Sequence, residues 1–250
     1  MSFEYLSFRP QEGTVKRLAF IFHGYGRNAS YVRKIAEAMQ EKIPNLLVIA
    51  PEGPEVFVLP DDDDGRDPVL QVPRQLREDN DSGENDVSPE DKLRYAPEQR
   101  QWFGIKGASL EDLNKSMLKI AAELNEFIDE QRDKEGLENE DIVISGFSQG
   151  GAVALFTAYM RDDPVRCVIA HSGLFFLVDG LKSDSPTLFV YGDQDEEFSN
   201  ERYAAVIHGL QQHCQDLTVE KIEGLTHKTN QESRETMAQY VKDQFKIGPP

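Results

Sequence analysis

Residues 142–159 read IVISGFSQGGAVALFTAY, and their order decides the fold. A short β-branched run, Ile142-Val143-Ile144-Ser145, is apolar on both faces, as a strand covered on both sides must be. Gly146-Phe147-Ser148-Gln149-Gly150 follows, a G-x-S-x-G pentapeptide, and then a run of small apolar residues that suits a buried helix. Alone the pentapeptide is a weak signal. Set between a strand and a helix, it describes a sharp turn that lifts one serine hydroxyl above the end of a sheet. The residue at the tip of such a turn is strained. Glycines two before and two after it remove the Cβ atoms that would otherwise collide. The turn also aims the first amides of the helix, Gln149 N–H above all, at any anion forming on Ser148.

Working outward, similar strand-like runs recur at 18–22 (LAFIF), 46–50 (LLVIA), 165–170 (VRCVIA), 187–191 (TLFVY) and 217–222 (LTVEKI). Helical periodicity separates them. In 110–132 the apolar residues Leu113, Met117, Ile120, Leu124, Phe127 and Ile128 fall three and four apart, behind Ser109 as N-cap with Asp112 at its third position. Further helices are predicted at 30–42, 200–213 and 230–245. Strands alternating with helices of this length indicate a mostly parallel sheet with helices on both faces. The chain of 250 residues reads as one domain, 1–250, with one interruption. At about 54–100 the alternation gives way to prolines and clustered acids, far longer than the roughly 12 to 15 residues usual for a loop in a compact domain. That stretch reads as an acidic insertion. Its DDDDGRD string lacks the spacing of a calcium loop.

A serine hydroxyl needs a base within hydrogen-bond reach and a carboxylate to fix that base's tautomer. Five histidines compete. His208 and His213 lie in a predicted amphipathic helix and read as surface residues, and His171 reads as a polar packing residue at the end of a strand. His23 ends the first long strand. His227 lies in a loop between the last strand and the last helix, after every other candidate. Asp195 follows the strand at 187–191, where open α/β sheets place ligand-contacting loops, with Asp193 and Glu196 as neighbouring alternatives. The order Ser148, Asp195, His227 is that of the α/β-hydrolases. A second oxyanion donor is expected from the loop after an early strand, which places Tyr25 N–H of His23-Gly24-Tyr25-Gly26 beside Gln149 N–H. The same loop satisfies a rival reading, because Gly24-Tyr25-Gly26-Arg27-Asn28-Ala29 resembles a dinucleotide fingerprint with Glu52 as the ribose acid. That reading leaves the Ser148 turn, the late Asp and the late His as coincidences, and it sets Glu52 28 residues past Gly24 instead of about 20.

Charge narrows the partners. There are 27 Lys and Arg against 45 Asp and Glu, a net −18, and residues 61–94 alone carry −7. A field of that sign repels phosphate backbones and anionic headgroups, so nucleic acid is excluded as a partner. No run approaches the roughly 18 apolar residues of a membrane span, and the N-terminus lacks the pattern of a signal peptide, so neither membrane insertion nor export is expected. Cys167 and Cys214 show no pairing pattern and read as buried thiols of a cytoplasmic protein. No metal or organic cofactor is implied, and a homodimer is an assembly left open.

These residues together resemble the phospholipase/carboxylesterase family of small α/β-hydrolases, which includes acyl-protein thioesterases. HGYG at His23, QWFGI at Gln101, GFSQGGAVAL at Gly146, AHSGLF at Ala170, YGDQDEEF at Tyr191 and GLTHKTN at Gly224 stand in the family's order. The resemblance implies an α/β-hydrolase fold and a serine esterase that cleaves small carboxylic esters, with thioesters, lactones or peptides as related chemistries. Nucleophile, acid and base then fall on Ser148, Asp195 and His227, and the oxyanion amides on Tyr25 and Gln149. The esterase is expected to work through an acyl-enzyme, with a non-catalytic hydrolase-fold binding protein as the alternative class. The resemblance further implies that Trp102 and Phe103 wall the acyl site. Phe175 and Phe176 are added as lining of a short-to-medium acyl pocket, with Phe57, Val58 and Leu59 as an extension. Two departures stand out besides the long acidic stretch. Gly104 replaces a usual Asp, and Glu196-Glu197-Phe198 stands where Pro-Val-Val often follows the acid. The added negative charge beside the site is expected to disfavour anionic substrates.

Overall fold

The computed structural model describes residues 3–10, 13–57, 99–105, 107–175, 178 and 180–248. The acidic stretch at 61–94 lies outside them, as do Val58, Leu59 and Phe176. The described chain forms a seven-stranded sheet and a separate two-stranded ribbon. In chain order the strands are β1 (Tyr5–Phe8), β2 (Arg17–Phe22), β3 (Leu46–Pro51), β4 (Glu55–Val56), β5 (Arg100–Gln101), β6 (Ile142–Phe147), β7 (Cys167–His171), β8 (Thr187–Gly192) and β9 (Leu217–Ile222). The sheet order is β1-β3-β2-β6-β7-β8-β9, and β4 pairs with β5 in the ribbon. Only β1 runs antiparallel, on β3; every other pairing in the large sheet is parallel.

Among the described residues five α-helices cover the sheet: α1 (Arg33–Lys42), α2 (Leu110–Glu135), α3 (Gln149–Tyr159), α4 (Asn200–His213) and α5 (Gln231–Gln244). The two faces are set by alternation along the strands. Leu18, Phe20 and Phe22 of β2 join the core under α2, α3 and α4, whereas Ala19 and Ile21 join the core under α1 and α5. Helix α2 begins in the predicted capping box, with Ser109 and Asp112 bonding each other's backbone amides, and stops at Gly136 in the left-handed region (φ 68°). No helix among the described residues is long and apolar enough to cross a membrane.

Three expectations change. Strand β1 and the β4–β5 ribbon lacked a sequence signal, because strands of four and two residues carry too little alternation to read. The first helix opens as a 3-10 turn, Ala29–Val32, capped by the Asn28 side chain on Ser30 N–H. His213, read as a surface residue, is half-buried, with its ring edge-on to Phe175 at 5.4 Å.

Candidate active site

The strand-to-helix turn at Ser148 is as tight as the glycine spacing demands. Ser148 has φ 54° and ψ −118°, a conformation that costs on the order of 1–3 kcal/mol for a residue with a Cβ. A Cβ on Gly146 would lie 2.1 Å from Gly150 O, and one on Gly150 would lie 2.3 Å from Phe22 O and 2.4 Å from His23 O. These are backbone atoms, so no rotamer change relieves them. Gly146→Ala is therefore expected to cost about 3 kcal/mol or more. At about 2–4 °C per kcal/mol, that lowers the midpoint of thermal unfolding by roughly 6 °C or more; a midpoint within about 2 °C of wild type would contradict this geometry.

Three loops at the carboxyl edge of the sheet bring the distant residues together. His227 Nε2 lies 2.9 Å from Ser148 Oγ, and His227 Nδ1 lies 2.7 Å from Asp195 Oδ2. Ionised Asp195 can only accept, so Nδ1 carries the proton and Nε2 is left to accept from the serine hydroxyl. Asp195 is bound on all sides. Its Oδ1 accepts from the amides of Glu197 and Phe198, both at 2.9 Å, and its Oδ2 also accepts from Tyr203 Oη at 2.5 Å. Burial works to raise this carboxyl, but the His227 bond and charge, the Tyr203 hydroxyl and the Phe198 amide outweigh it, so Asp195 is held below the usual carboxylate range. Tyr203, fully buried on α4, was missed in the sequence, where nothing distinguishes it from a core aromatic.

The alternatives to Asp195 hold the His227 loop instead. Asp193 Oδ1 accepts from Gly224 N–H at 2.7 Å, and Glu196 Oε2 accepts from the His227 backbone N–H at 3.2 Å. Gly192 lets β8 approach that loop, since a Cβ there would sit 1.9 Å from Leu225 O. Buried His171 is a packing residue, as expected. Its carbonyl accepts from Ser148 N–H at 2.8 Å, and burial followed by the His227 charge lowers its imidazole to about 3.

The first loop is built around His23. Gly53 N–H donates to His23 Nε2 (2.9 Å), which leaves Nδ1 to donate to Gly24 O (2.8 Å). A trans peptide points its N–H opposite its C=O, so holding Gly24 O against the imidazole turns Tyr25 N–H away from His23. Complete burial is the main reason His23 is lowered to about 4, and it stays neutral in this role at neutral pH. Across the turn, the Ser148 side chain makes no capping bond at the start of α3, so it leaves the first-turn amides uncapped. The Gln149 side chain ties down the neighbouring wall, accepting from Trp102 N–H (3.0 Å) and donating to Phe103 O (2.8 Å). Glu52 is no ribose ligand. It is buried, accepts from Ala29 N–H at 3.0 Å and lies 3.6 Å from His23 Nε2.

Ser148, Gln149, Tyr25 and His227 open onto one pocket whose apolar lining includes Phe103, Ile105, Leu113, Met117, Ala152 and Leu174. Phe103 is where the wall was expected. Trp102 is not in the lining. It lies behind the loop at His23, 1% exposed, stacked on His23 at 5.1 Å with its indole N–H on His23 O at 2.8 Å. The two residues lie in the bend that follows β5, and of the pair only Phe103 faces the pocket. Phe175 is also displaced from the lining. Its ring packs in the core against Phe156 and Tyr159 at 5.3 and 5.5 Å, and its neighbour Leu174 takes the wall position. Phe57 packs edge-on to Tyr25 at 4.8 Å. Leu113 and Met117 read as core in the sequence, because a pocket wall and a core present the same periodicity.

The chain is similar to known proteins. Residues 86–244 match the model of the phospholipase/carboxylesterase family. Acyl-protein thioesterase 1 of Schizosaccharomyces pombe is 30% identical over 164 residues, 60% of this chain and 70% of the relative. The Kluyveromyces lactis acyl-protein thioesterase 1 is 27% identical over 162 residues, 58% of this chain and 69% of the relative. Among solved structures, esterase PE8 superposes with a TM-score of 0.74 at 18% identity, covering 97% of this chain and 99% of that one. The Bacillus cereus carboxylesterase superposes with a TM-score of 0.68 at 15% identity, covering 97% and 95%. At such identities these structures speak for the α/β-hydrolase fold alone, whereas the family model spans well over half of the chain: this protein belongs to the phospholipase/carboxylesterase family.

Proposed function

We propose that this protein is a serine carboxylesterase that hydrolyses short-to-medium acyl esters, and thioesters by the same steps, through an acyl-enzyme. The observation that carries the reading is the unbroken hydrogen-bond chain from Asp195 through His227 to Ser148, at 2.7 and 2.9 Å. Ser148 Oγ attacks the acyl carbon as its proton passes to His227 Nε2. The imidazolium that forms is stabilised by Asp195, which stays ionised. Negative charge on the carbonyl oxygen is met by the N–H groups of Tyr25 and Gln149, each donor typically worth about 2.7 to 4 kcal/mol in the transition state. The carbon–oxygen or carbon–sulfur bond then breaks, and His227 returns the proton to the leaving atom. Water, deprotonated by His227, releases the acid by the same route. The apolar side chains around Phe103 supply the acyl site. A cytoplasmic setting fits the two buried free thiols, Cys167 and Cys214.

Wild-type protein is expected to be labelled by a fluorophosphonate probe. It is also expected to turn over p-nitrophenyl esters with an optimum between butyrate and octanoate when the series from acetate to decanoate is compared. Absence of labelling overturns the serine hydrolase reading. Rates that climb steadily to decanoate overturn the chain-length assignment.

A further inference from the structure

One polar side chain in the pocket has no part in the reaction as described. Glu197 lines the pocket beside His227 and Ser148, yet it is only 8% exposed. Its backbone is committed, donating to Asp195 Oδ1 at 2.9 Å. Its carboxyl Oε2 is buried and has no hydrogen-bond partner among the described residues. The cation of the same lining, Arg27, has its guanidinium 4.9 Å over the Tyr31 ring. A carboxyl withdrawn from water without a donor is costly, and buried oxygens left unmatched in a folded protein are uncommon. Here the cost is visible as a carboxyl raised to about 7, by burial first, with the His227 charge offsetting and the Asp195 and Glu196 charges adding to it. An apolar residue at this position would avoid that cost.

The position says which part of a substrate would meet the carboxyl. The leaving atom takes its proton from His227 Nε2, so the alcohol or thiol portion departs past the imidazole. Glu197 interacts electrostatically with that imidazole, and the next residue, Phe198, packs edge-on to it at 5.1 Å. We propose that Glu197 selects the leaving group, accepting a hydrogen bond from a hydroxyl or protonated amine carried close to the scissile oxygen or sulfur. The preferred substrates are then monoesters of polyols or amino alcohols, and not simple alkyl esters. This rests on the serine esterase reading and adds to it the class of alcohol.

The test compares three butyrate esters that differ at the end of the alcohol: propyl, 2-hydroxyethyl and 2-(dimethylamino)ethyl. The kcat/KM of each is measured at pH 8 for wild type, Glu197→Leu and Glu197→Gln. A hydrogen bond to a charged group predicts that wild type prefers the hydroxyethyl over the propyl ester by about 10- to 100-fold beyond their ratio in buffer hydrolysis. Glu197→Leu should abolish that preference. Glu197→Gln, which keeps an acceptor but loses the charge, should keep part of the hydroxyl preference and lose that for the ammonium ester. If Glu197→Leu does not fold, the ratio of ammonium to hydroxyl ester in Glu197→Gln carries the test. Equal selectivity in wild type and the variants overturns the proposal. Fluorophosphonate labelling of the same wild-type sample separates the two failures. Labelling with unchanged selectivity removes the role of Glu197 alone, whereas no labelling removes the esterase reading and this proposal with it.

Discussion

Ser148→Ala is expected to lower turnover of p-nitrophenyl butyrate by about 10⁴- to 10⁶-fold, the range seen when the nucleophile of a triad is removed. Fluorophosphonate labelling should vanish with it. The fold should survive the change, because everything that shapes the turn lies in the backbone and in Gly146 and Gly150. Ala must adopt the same strained φ of 54° as Ser, so no new strain is introduced. Among the described residues, the side-chain bond lost is that to His227 Nε2, at 2.9 Å. Thermal unfolding should therefore stay within a few degrees of wild type, as expected where an active site is built at some expense of stability. A variant that keeps more than about one hundredth of the activity would show that Ser148 is not the nucleophile. What activity remains should come from the oxyanion amides and from substrate binding.

Asp195→Asn should cost about 10⁴-fold in kcat with little change in KM, for a reason that lies in the donor count. Four donors converge on the Asp195 carboxylate: the amides of Glu197 and Phe198, the Tyr203 hydroxyl and His227 Nδ1–H. An asparagine that keeps its carbonyl on the two amides must turn its NH₂ toward Tyr203 and His227. The hydroxyl can reverse its role and accept. The imidazole can accept only by moving its proton from Nδ1 to Nε2, and that tautomer cannot take the Ser148 proton. Steady-state kinetics check this directly. A loss mainly in KM, or one of less than about tenfold in kcat, would mean that Asp195 only braces the loop, as Asp193 and Glu196 do.

Much of the fold was legible because it rests on periodicity. The runs at 18–22, 142–145 and 187–191 are apolar on both faces since helices cover both faces of the sheet, and α2 announced its own start through Ser109 and Asp112. The candidate nucleophile was legible for a related reason. Glycines at 146 and 150 are dictated by local backbone collisions, and local collisions leave a local pattern. Asp195 and His227 could be ranked by their places after strands. Their partners could not, because Tyr203 and a core tyrosine look alike until α4 packs against the Asp195 turn.

The same limit explains the errors around the pocket. Trp102 and Phe103 are adjacent aromatics, and which of them faces the pocket depends on how the β4–β5 ribbon is hung, with Gly53 allowing Gln101 O to come close and Gln149 gripping the next two residues. In the same way Leu174, and not Phe175, reaches the pocket wall. From the amino-acid order alone came the sheet with its two helical layers, the strained turn at Ser148 and the short set of acids and bases that could serve it, since each depends on neighbours a few residues apart. Which histidine is buried as a brace and which meets the serine was decided only in three dimensions. The same is true of which aromatic lines the pocket and of the Glu197 Oε2 in its wall, which has no partner among the described residues. Those properties depend on segments tens of residues apart packing against one another, which surround the Asp195 carboxylate with four donors and leave the buried Oε2 of Glu197 with none among the described residues.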